Sequence, residues 1–136
     1  MKLRAFFIVG LAYCASALAQ TFPSKPVKIV VPFTPGGAND VIARVVSQRM
    51  AEPLGQQVIV ENRGGAGGAV GAEYVARAAA DGYTLLLANP GPSAINPSLQ
   101  AKSLYDPLRD FSAITLLATS PQILVVHPSQ IGRAHV

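Results

Sequence analysis

Short apolar runs alternate with helical patterns along the chain after residue 26. The run at residues 27–33 lacks strict alternation of apolar and polar positions, which is typical of a strand buried on both faces of a sheet. Shorter runs at residues 58–60 and 84–88 predict two further strands. Between them, apolar residues recur at helical spacing over residues 40–54 and 69–80. The order βαβαβ with short connections therefore predicts an α/β fold with a parallel sheet and covering helices.

Each predicted helix has an apolar face and a residue that marks one of its ends. Asp40 is predicted as the N-cap of the first helix, since its carboxylate can accept from the free N–H groups of the first turn. Gly55 suits the residue that ends that helix. Asp81 and Gly82 are expected to end the second helix, whose many alanines would let it pack close to the sheet. The apolar faces consist of Ile42, Val45, Val46 and Met50 in the first helix, and of Val70, Tyr74, Val75 and Ala78 in the second.

Turn-forming residues become frequent after the third predicted strand. Residues 89–97 predict an irregular loop and residues 107–111 a further turn. Residues 114–118 and 123–126 are apolar again and predict two more strands.

Two glycine-rich loops follow the first two predicted strands. Gly36 and Gly37 lie between a strand and a helix, and the Gly-Gly-Ala-Gly-Gly segment at residues 64–68 repeats the arrangement. The free N–H groups and the dipole of a helix N-terminus attract anions. Ligands of parallel sheets bind beyond the carboxyl ends of the strands, which is where residues 34–39, 64–68 and 89–96 lie. These loops predict a small-anion site, although either glycine loop alone fits an ordinary βα connection equally well.

An N-terminal leader precedes this pattern. Lys2 and Arg4 form a basic start, residues 5–15 are apolar, and Ala17-Leu18-Ala19 is an A-x-A cleavage site. These features predict a cleaved secretory signal peptide over residues 1–19. A membrane anchor is the alternative, but the apolar run is shorter than the roughly 20 residues that span a bilayer.

Composition argues against several classes of function. Cys14 is the only cysteine and lies in the predicted leader, where the bulky Tyr13 argues against a lipoprotein signal. The mature chain would have no disulfide, cysteine nucleophile or cysteine metal site. His127 is the only histidine outside the suspect tail at residues 131–136, so no histidine cluster for a metal is expected. No cofactor is expected either. The leader carries two of the four net positive charges, and without a basic run the mature chain gives nucleic-acid binding little support.

Enzyme motifs are incomplete, so an enzyme is not predicted. The sequence contains no G-x-S-x-G nucleophile motif. Gly65 and Gly67 fit the first two glycines of a dinucleotide-binding G-x-G-x-x-G, but Val70 stands at the third position. The pattern also follows the second predicted strand rather than the first, which argues further against a nucleotide-binding enzyme.

A series of motifs occurs in a fixed order over residues 22–129. They are Phe-Pro-x-Lys-Pro at 22–26, Val-Pro-Phe-x-Pro-Gly-Gly-x-x-Asp at 31–40, Leu-Gly-Gln-x-Val at 54–58, Val-Glu-Asn-Arg-x-Gly-Ala-Gly-Gly at 60–68, Asp-Gly-Tyr-Thr-Leu-Leu at 81–86, Asn-Pro-x-Leu at 96–99 and Val-Val-His-Pro-Ser at 125–129. In this order they resemble the Bug-type periplasmic substrate-binding proteins of tripartite tricarboxylate transporters. One such motif is weak, whereas the ordered set is specific.

The resemblance implies a type II periplasmic-binding-protein-like (Venus flytrap) fold, in which two lobes close on a solute. Residues 20–126 would form most of the first lobe, and residues 127–130 would start the crossing to a second lobe. Family members are more than twice as long, so the second lobe is expected to be missing from this sequence. Residues 131–136 continue no pattern and can be encoded by a common sequencing adapter, which predicts a non-native tail.

The resemblance also implies where a ligand binds, because this family holds a carboxylate largely through backbone N–H groups and ordered water. The residues that correspond to this role are Phe33, Thr34, Pro35, Gly36, Gly37, Asn39, Asp40, Gly65, Ala66, Gly67, Gly68, Asn89, Gly91, Ser93 and Asn96. Several of them have a second interpretation. Asp40 suits a helix cap, Phe33 suits the core, and Ser93 and Asn96 suit side chains that fix their own turn. Gly64, Asn39 and Asn89-Pro90 depart from the family's usual residues, which bears on the ligand more than on the fold.

The expected ligand is a small organic acid, and the expected partners are the membrane permease subunits of such a transporter. A solute-sensing protein that docks to a signalling receptor shares these features. So does a non-functional truncated fragment.

The expected truncation can be tested on the gene. We predict that the reading frame continues past codon 130 into a second lobe, and genomic sequencing across this position measures it. A genuine stop codon after Val136 would contradict the expectation.

Overall fold

The computed structural model describes residues 21–100, 103–121, 123 and 125. The predicted signal peptide at residues 1–19, the crossing segment at 127–130 and the tail at 131–136 lie outside the described residues.

A three-stranded parallel sheet forms the centre of the fold. Its strands are β1 (Val27–Val31), β2 (Val58–Asn62) and β3 (Thr84–Leu86), in the order β2-β1-β3. Val30 and Val31 of the central strand are fully buried, as expected of a strand with neighbours on both sides and layers on both faces. The predicted parallel βαβαβ arrangement is confirmed.

Two helices cover opposite faces of this sheet. The first, α1 (Ala38–Leu54), packs with Val27, Ile29 and Val31 on one face of β1. The second, α2 (Ala69–Ala76), packs with Leu86 of β3 on the other face. Because successive side chains of a strand point to opposite faces, these contacts define a three-layer α/β/α arrangement.

The strand ends differ from those predicted for a reason found in β1. The strand ends at Val31 rather than at residue 33, since Pro32 has no N–H group to donate to the ladder. The third strand ends at Leu86 rather than at residue 88. The Leu87 N–H still donates to the Val30 carbonyl oxygen at 2.9 Å, but the next bond in this register would need an N–H group on Pro32, which has none. By contrast, β2 continues to Asn62, where Val31 still pairs with it.

Helix α1 begins two residues before the predicted start. Gly37 is its N-cap, so the prediction that Asp40 caps the helix is wrong. Gly55 ends the helix in the left-handed conformation (φ 61°), which confirms that prediction. On the predicted apolar face, Ile42, Val46 and Met50 pack against the core. Val45 is 56% exposed, so its placement on the buried face was wrong.

Helix α2 is shorter than predicted and buries a different face. It ends at Ala76 rather than at residue 80. Residues 79 and 80 are exposed, so no core contact holds another turn before the chain enters β3. The buried residues are Ala69, Gly71 and Ala72, whereas Val70 of the predicted apolar stripe is 47% exposed.

Close packing explains this choice of small residues. A Cβ atom on Gly71 would lie 2.7 Å from the carbonyl oxygen of Arg63 and 2.8 Å from the Cα atom of Pro32. The expectation that small residues bring the second helix close to the sheet is therefore confirmed, with glycine at the closest point.

The segment after β3 is helical rather than irregular. A π-helical turn (Gly91–Ile95) leads into α3 (Asn96–Leu99), which corrects the predicted loop at residues 89–97. The turn predicted at residues 107–111 is present over residues 107–109. No helix in the described parts of the chain is long and apolar enough to cross a membrane.

Two strands were predicted near the end of the chain, at residues 114–118 and 123–126, and neither is observed in the residues that the structure describes there. Residues 111–121 contain no strand, and neither do residues 123 and 125, the described part of the second predicted strand. Ile114 and Leu116 are 76% and 78% exposed. An apolar run becomes a strand only when a neighbouring strand satisfies its backbone groups, and the described residues supply no such neighbour.

Two of the sequence motifs meet at the amino end of the sheet. The Phe22 ring lies 5.0 Å from the Tyr83 ring, between centroids. Lys25 forms an ion pair with Asp81 at 3.1 Å, and its Nζ atom lies 4.3 Å from the centre of the Tyr83 ring. These contacts hold the segment before β1 beside the turn that enters β3.

We predict that Gly71→Ala destabilises the fold. Overpacking costs about 1–3 kcal/mol, against a gain of about 1 kcal/mol for alanine over glycine within a helix. The nearest neighbours are backbone atoms closer than 3.0 Å, so the upper part of the overpacking range, about 2–3 kcal/mol, applies. A net loss of about 1–2 kcal/mol in the free energy of urea unfolding is therefore expected. The matched control is Gly37→Ala, which should cost less. Among the described residues, the Thr34 carbonyl oxygen at 3.8 Å is the only atom within 4 Å of a Cβ atom at this position. Unchanged or increased stability of Gly71→Ala would contradict the packing argument.

Candidate functional site

The three predicted loops meet at one edge of the molecule. Because the strands are parallel, their carboxyl ends lie on the same side. We call the segments that follow them the loop edge: residues 32–40 after β1, 62–68 after β2 and 89–96 after β3. The first segment lies in the middle, since β1 is the central strand.

Glycines bring the first two segments into contact. A Cβ atom on Gly64 would lie 3.3 Å from the backbone nitrogen of Thr34. Gly68 has φ 95°, and a Cβ atom there would lie 3.3 Å from Cζ of Phe33 and 3.3 Å from the carbonyl oxygen of Pro32. A larger residue at position 68 would be strained and would separate the segments.

A side-chain amide ties the third segment to the second. The Asn96 Nδ2 atom donates to the carbonyl oxygen of Gly67 at 3.0 Å. The interpretation that Asn96 fixes only its own turn is therefore wrong. The turn is fixed instead by Asn89, whose Oδ1 atom accepts from the Gly91 N–H at 3.1 Å.

Asp40 does not cap α1; its carboxylate accepts hydrogen bonds from the loop after β1, from α1 and from β2. We call these hydrogen bonds the Asp40 tie. Asp40 is the third residue of α1, and its side chain reaches back to accept the Gly36 N–H at 3.0 Å and Arg44 Nε at 2.9 Å. Asn62 Nδ2 donates to the other carboxylate oxygen at 3.0 Å. The Arg44 hydrogen bond, with those from Gly36 and Asn62, lowers the pKa of Asp40 to about 2. With Asp40 only 4% exposed, this carboxylate is charged and turned inward.

Asn62 is a functional candidate that the sequence analysis missed. Besides Asp40, its amide donates to the Phe33 carbonyl oxygen at 3.2 Å, so a single side chain holds both the loop after β1 and the start of α1. The available signal was a polar side chain soon after the apolar run at residues 58–60, at the carboxyl end of a parallel strand.

Unused backbone donors distinguish the loop edge. The N–H groups of Gly37, Ala38 and Asn39, at the start of the 17-residue α1, have no acceptor among the described residues. Neither do those of Gly65, Ala66 and Gly67 in the part of the chain that the structure describes. Ala38 was missed by the sequence analysis, because a backbone donor leaves no trace in the side-chain pattern.

Among the described residues of the loop edge, the one formal cation is Arg63, and its guanidinium group is engaged by other side chains. Arg63, the nearest arginine in the sequence, stacks on the Tyr74 ring at 3.6 Å from the ring centre and pairs with Glu61. Glu61 also pairs with Lys28 at 2.6 Å, and the Lys28 hydrogen bond lowers the pKa of Glu61. An anion at the loop edge would therefore meet peptide dipoles and a helix N-terminus.

The remaining predicted site residues have mixed environments. Thr34, Pro35 and Gly36 are exposed, Asn39 is half-buried, and Phe33 is half-buried against the core layer of α1. Ser93 is half-buried, and its hydroxyl has no partner among the residues described. Within that same part of the chain, no group of three acidic, histidine or cysteine side chains is placed to hold a metal. Two open clefts of about 450 and 400 Å³ lie beside Tyr105 and Tyr74, and Arg63 lines part of the second.

Comparison with known proteins identifies the family. The sequence profile of the tripartite tricarboxylate transporter family receptor, TctC, matches residues 42–132. The chain belongs to this family. It is 42% identical over 123 residues to the protein BugT of Bordetella pertussis, an alignment that covers 90% of this chain and 38% of BugT.

Solved structures of periplasmic binding proteins share the fold. MatC from Rhodopseudomonas palustris, solved with bound malate, has a TM-score of 0.68 and 43% identity over 71% of this chain and 33% of its own. The periplasmic binding protein BugD has a TM-score of 0.63 and 47% identity over 66% and 30%. An R. palustris protein solved with adipate has a TM-score of 0.61 and 41% identity over 64% and 29%. The chain thus spans about a third of the length of these relatives, in a family of periplasmic solute-binding proteins.

We predict that the Asp40 tie makes stability depend on pH. The pKa of Asp40 is 3.8 in its ordinary state and about 2 in the fold. Because the folded pKa is the lower one, the stabilisation is complete above about pH 4 and is lost as the pH falls towards 2. The difference in urea midpoint between the wild type and Asp40→Asn should therefore be largest near neutral pH and shrink below pH 4. A difference that stays constant with pH would contradict this role for the carboxylate.

Proposed function

We propose that this chain is the carboxylate-binding part of a periplasmic solute-binding protein, and that the loop edge binds a carboxylate of a small organic acid. The observation that carries the proposal is the two sets of N–H groups, at residues 37–39 and 65–67, that have no acceptor among the described residues. These two sets of donors lie on touching loops at the carboxyl edge of a parallel sheet, where ligands of such sheets bind.

The electrostatics of the loop edge support an anion with delocalised charge. A hydrogen bond to a charged group contributes about 1.5–3 kcal/mol, so a few such donors give useful affinity without a cation. The nearby negative charge of Asp40 is offset by Arg44 and faces inward. It therefore opposes the ligand little, while it fixes the loop whose N–H groups remain free.

The proposed contacts extend beyond the backbone. The half-buried Asn39 and Ser93 side chains offer further hydrogen bonds at the same edge, and Thr34 offers an exposed one. Asp40 holds the loop and is not itself a proposed contact. The relatives solved with malate and adipate support a dicarboxylate as the class of ligand.

The wider role follows from the family. We propose binding without catalysis, in the periplasm, with the leader pattern at residues 1–19 as the support for export. Since the chain spans 38% of BugT, the rest of the protein would close over the ligand from the other side. Delivery to permease subunits of a tripartite tricarboxylate transporter is the proposed use of the bound acid, with docking to a signalling receptor as the alternative.

Titration calorimetry with malate and adipate tests the proposed binding. Heat of binding is expected for both dicarboxylates or for one of them, and none for the corresponding neutral diamides, because only a carboxylate makes charge-assisted hydrogen bonds. Absence of binding to both acids, or equal binding of acids and diamides, would overturn the proposal.

We predict that Ala38→Pro weakens binding without unfolding the chain. Proline is tolerated at the first helical position and removes only the N–H group there, and the preceding Gly37 already has the extended conformation that proline requires (φ −79°, ψ 170°). Loss of one charge-assisted hydrogen bond should raise the Kd about tenfold or more.

The matched control for this variant is Ala38→Ser, which changes the side chain and keeps the N–H group. It should bind the acid within about twofold of the wild type, with both variants unfolding at similar urea concentrations. Equal affinity of Ala38→Pro and Ala38→Ser would show that this donor is not used.

A further inference from the structure

The π-helical turn of the loop edge contains a carbonyl group that the turn itself cannot satisfy. In the turn Gly91–Ile95, the Asn96 N–H donates five residues back, to the Gly91 carbonyl oxygen. The next bond of this series would join the Pro92 carbonyl oxygen to residue 97. Pro97 has no N–H group, and the Pro92 side chain is fully buried. A buried carbonyl without a donor costs about as much as a lost hydrogen bond.

The same proline accounts for the unusual turn. A proline ring inside a helix clashes with the carbonyl group four residues earlier, which here belongs to Ser93. Widening the turn from α to π relieves this clash, and π turns of this kind are rare. Pro97 thus both shapes the turn and leaves Pro92 without its partner.

Tyr105 supplies the missing donor from a distant segment. Its hydroxyl donates to the Pro92 carbonyl oxygen at 2.6 Å. The Tyr105 side chain is 6% exposed and packs edge-on against the Phe111 ring, with centroids 5.8 Å apart. Ala69 and Ala72 of α2 complete its surroundings. Burial raises the pKa of the Tyr105 hydroxyl, so it remains a donor throughout the neutral range.

Pro92, which Tyr105 holds in place, also contacts the loop that follows β2. Its Cγ atom lies 3.1 Å from the position of a Cβ atom on Gly68, in the loop that follows β2. The same helical turn ends at Asn96, whose amide donates to Gly67. A shift of the turn would therefore move both contacts with the glycine loop that carries three of the free N–H groups.

We propose that Tyr105 is a positioning residue, whose hydroxyl replaces the hydrogen bond that Pro97 denies to Pro92 and so sets the third loop against the glycine loop of the ligand site. The structural part stands on the geometry alone. Only the effect on ligand affinity rests on the proposed function.

The first test removes the hydroxyl and keeps the ring, with Tyr105→Phe in the full chain. Hydrogen exchange of the amides at residues 93–96 should become about tenfold faster, while Ile29 and Val30 in the central strand should exchange as in the wild type. A tenfold change corresponds to about 1.4 kcal/mol, within the cost of an unsatisfied buried carbonyl. The Kd for malate or adipate should rise about three- to tenfold by the same reasoning.

A matched control removes a tyrosine hydroxyl at the opposite end of the sheet. The Tyr83 hydroxyl accepts from the Ser24 N–H at 2.8 Å, far from the third loop along the strands. Tyr83→Phe should leave exchange at residues 93–96 and the affinity for the acids unchanged.

The second test restores a donor by another route. Pro97→Ala allows a backbone N–H to reach the Pro92 carbonyl, from residue 97 in a π turn or from residue 96 in an α turn. In the Tyr105→Phe background it should return exchange at residues 93–96 and the Kd towards wild-type values. A variant that merely damages the fold would show no such rescue.

Each outcome decides part of the proposal. Unchanged exchange at residues 93–96 in Tyr105→Phe would show that the Tyr105 hydroxyl does not hold the turn. Failure of Pro97→Ala to restore slow exchange would show that the missing N–H group of Pro97 is not the reason that Tyr105 is needed. Faster exchange with unchanged acid affinity would overturn the positioning role. If the wild type binds neither malate nor adipate, the proposed function fails by itself, and the exchange measurements still decide whether Tyr105 holds the turn.

Discussion

The close approach of helix α2 to the end of the central strand is the constraint on which the rest of the structure depends. Gly71 leaves no room for a Cβ atom between Pro32 and the Arg63 carbonyl oxygen. Gly68, three residues earlier, lies against Phe33 and Pro92. Because both contacts involve the first residues after β1, they fix the second and third loops against the first. The loop edge is therefore set by backbone packing, since interiors this tight admit no extra methylene group without movement.

The Asp40 carboxylate forms its hydrogen bonds within the fold and leaves the backbone N–H groups of residues 37–39 without an acceptor among the described residues. The Asp40 carboxylate accepts from Gly36, Arg44 and Asn62, and it joins the loop after β1, the first turn of α1 and the end of β2. A buried carboxylate is tolerable only when it is paired and hydrogen-bonded in this way. The N–H groups at residues 37–39 then face no internal acceptor among the described residues, which is the arrangement that an incoming anion needs.

The proposed recognition of a carboxylate by backbone donors would have a consequence for specificity. Peptide N–H groups are the same whatever the side chains, so they recognise a carboxylate without selecting one acid. Two related proteins have been solved with malate and with adipate. These acids both carry carboxylates but differ in the part of the molecule that joins them. Under the proposed function, selection of one acid over another would depend on side chains at the loop edge, such as Asn39 and Ser93. It would depend also on the remainder of the protein, since this chain spans about a third of its relatives.

The sequence by itself determined the order of elements, the three loops at one edge and the family, because these follow from apolar periodicity, glycine placement and ordered motifs. Only the tertiary structure decided that Asp40 is a tie and not a cap, that α2 buries its small residues and exposes Val70, and that residues 114–118 form no strand. Each of these features depends on a contact between segments that are distant in sequence. They are, in turn, the position of Asn62 beside Asp40, the proximity of Pro32 to α2, and the absence of a neighbouring strand among the described residues. Tyr105 belongs to the same class, because its role arises only when the fold brings it to a carbonyl that Pro97, far nearer in sequence, has left without a donor.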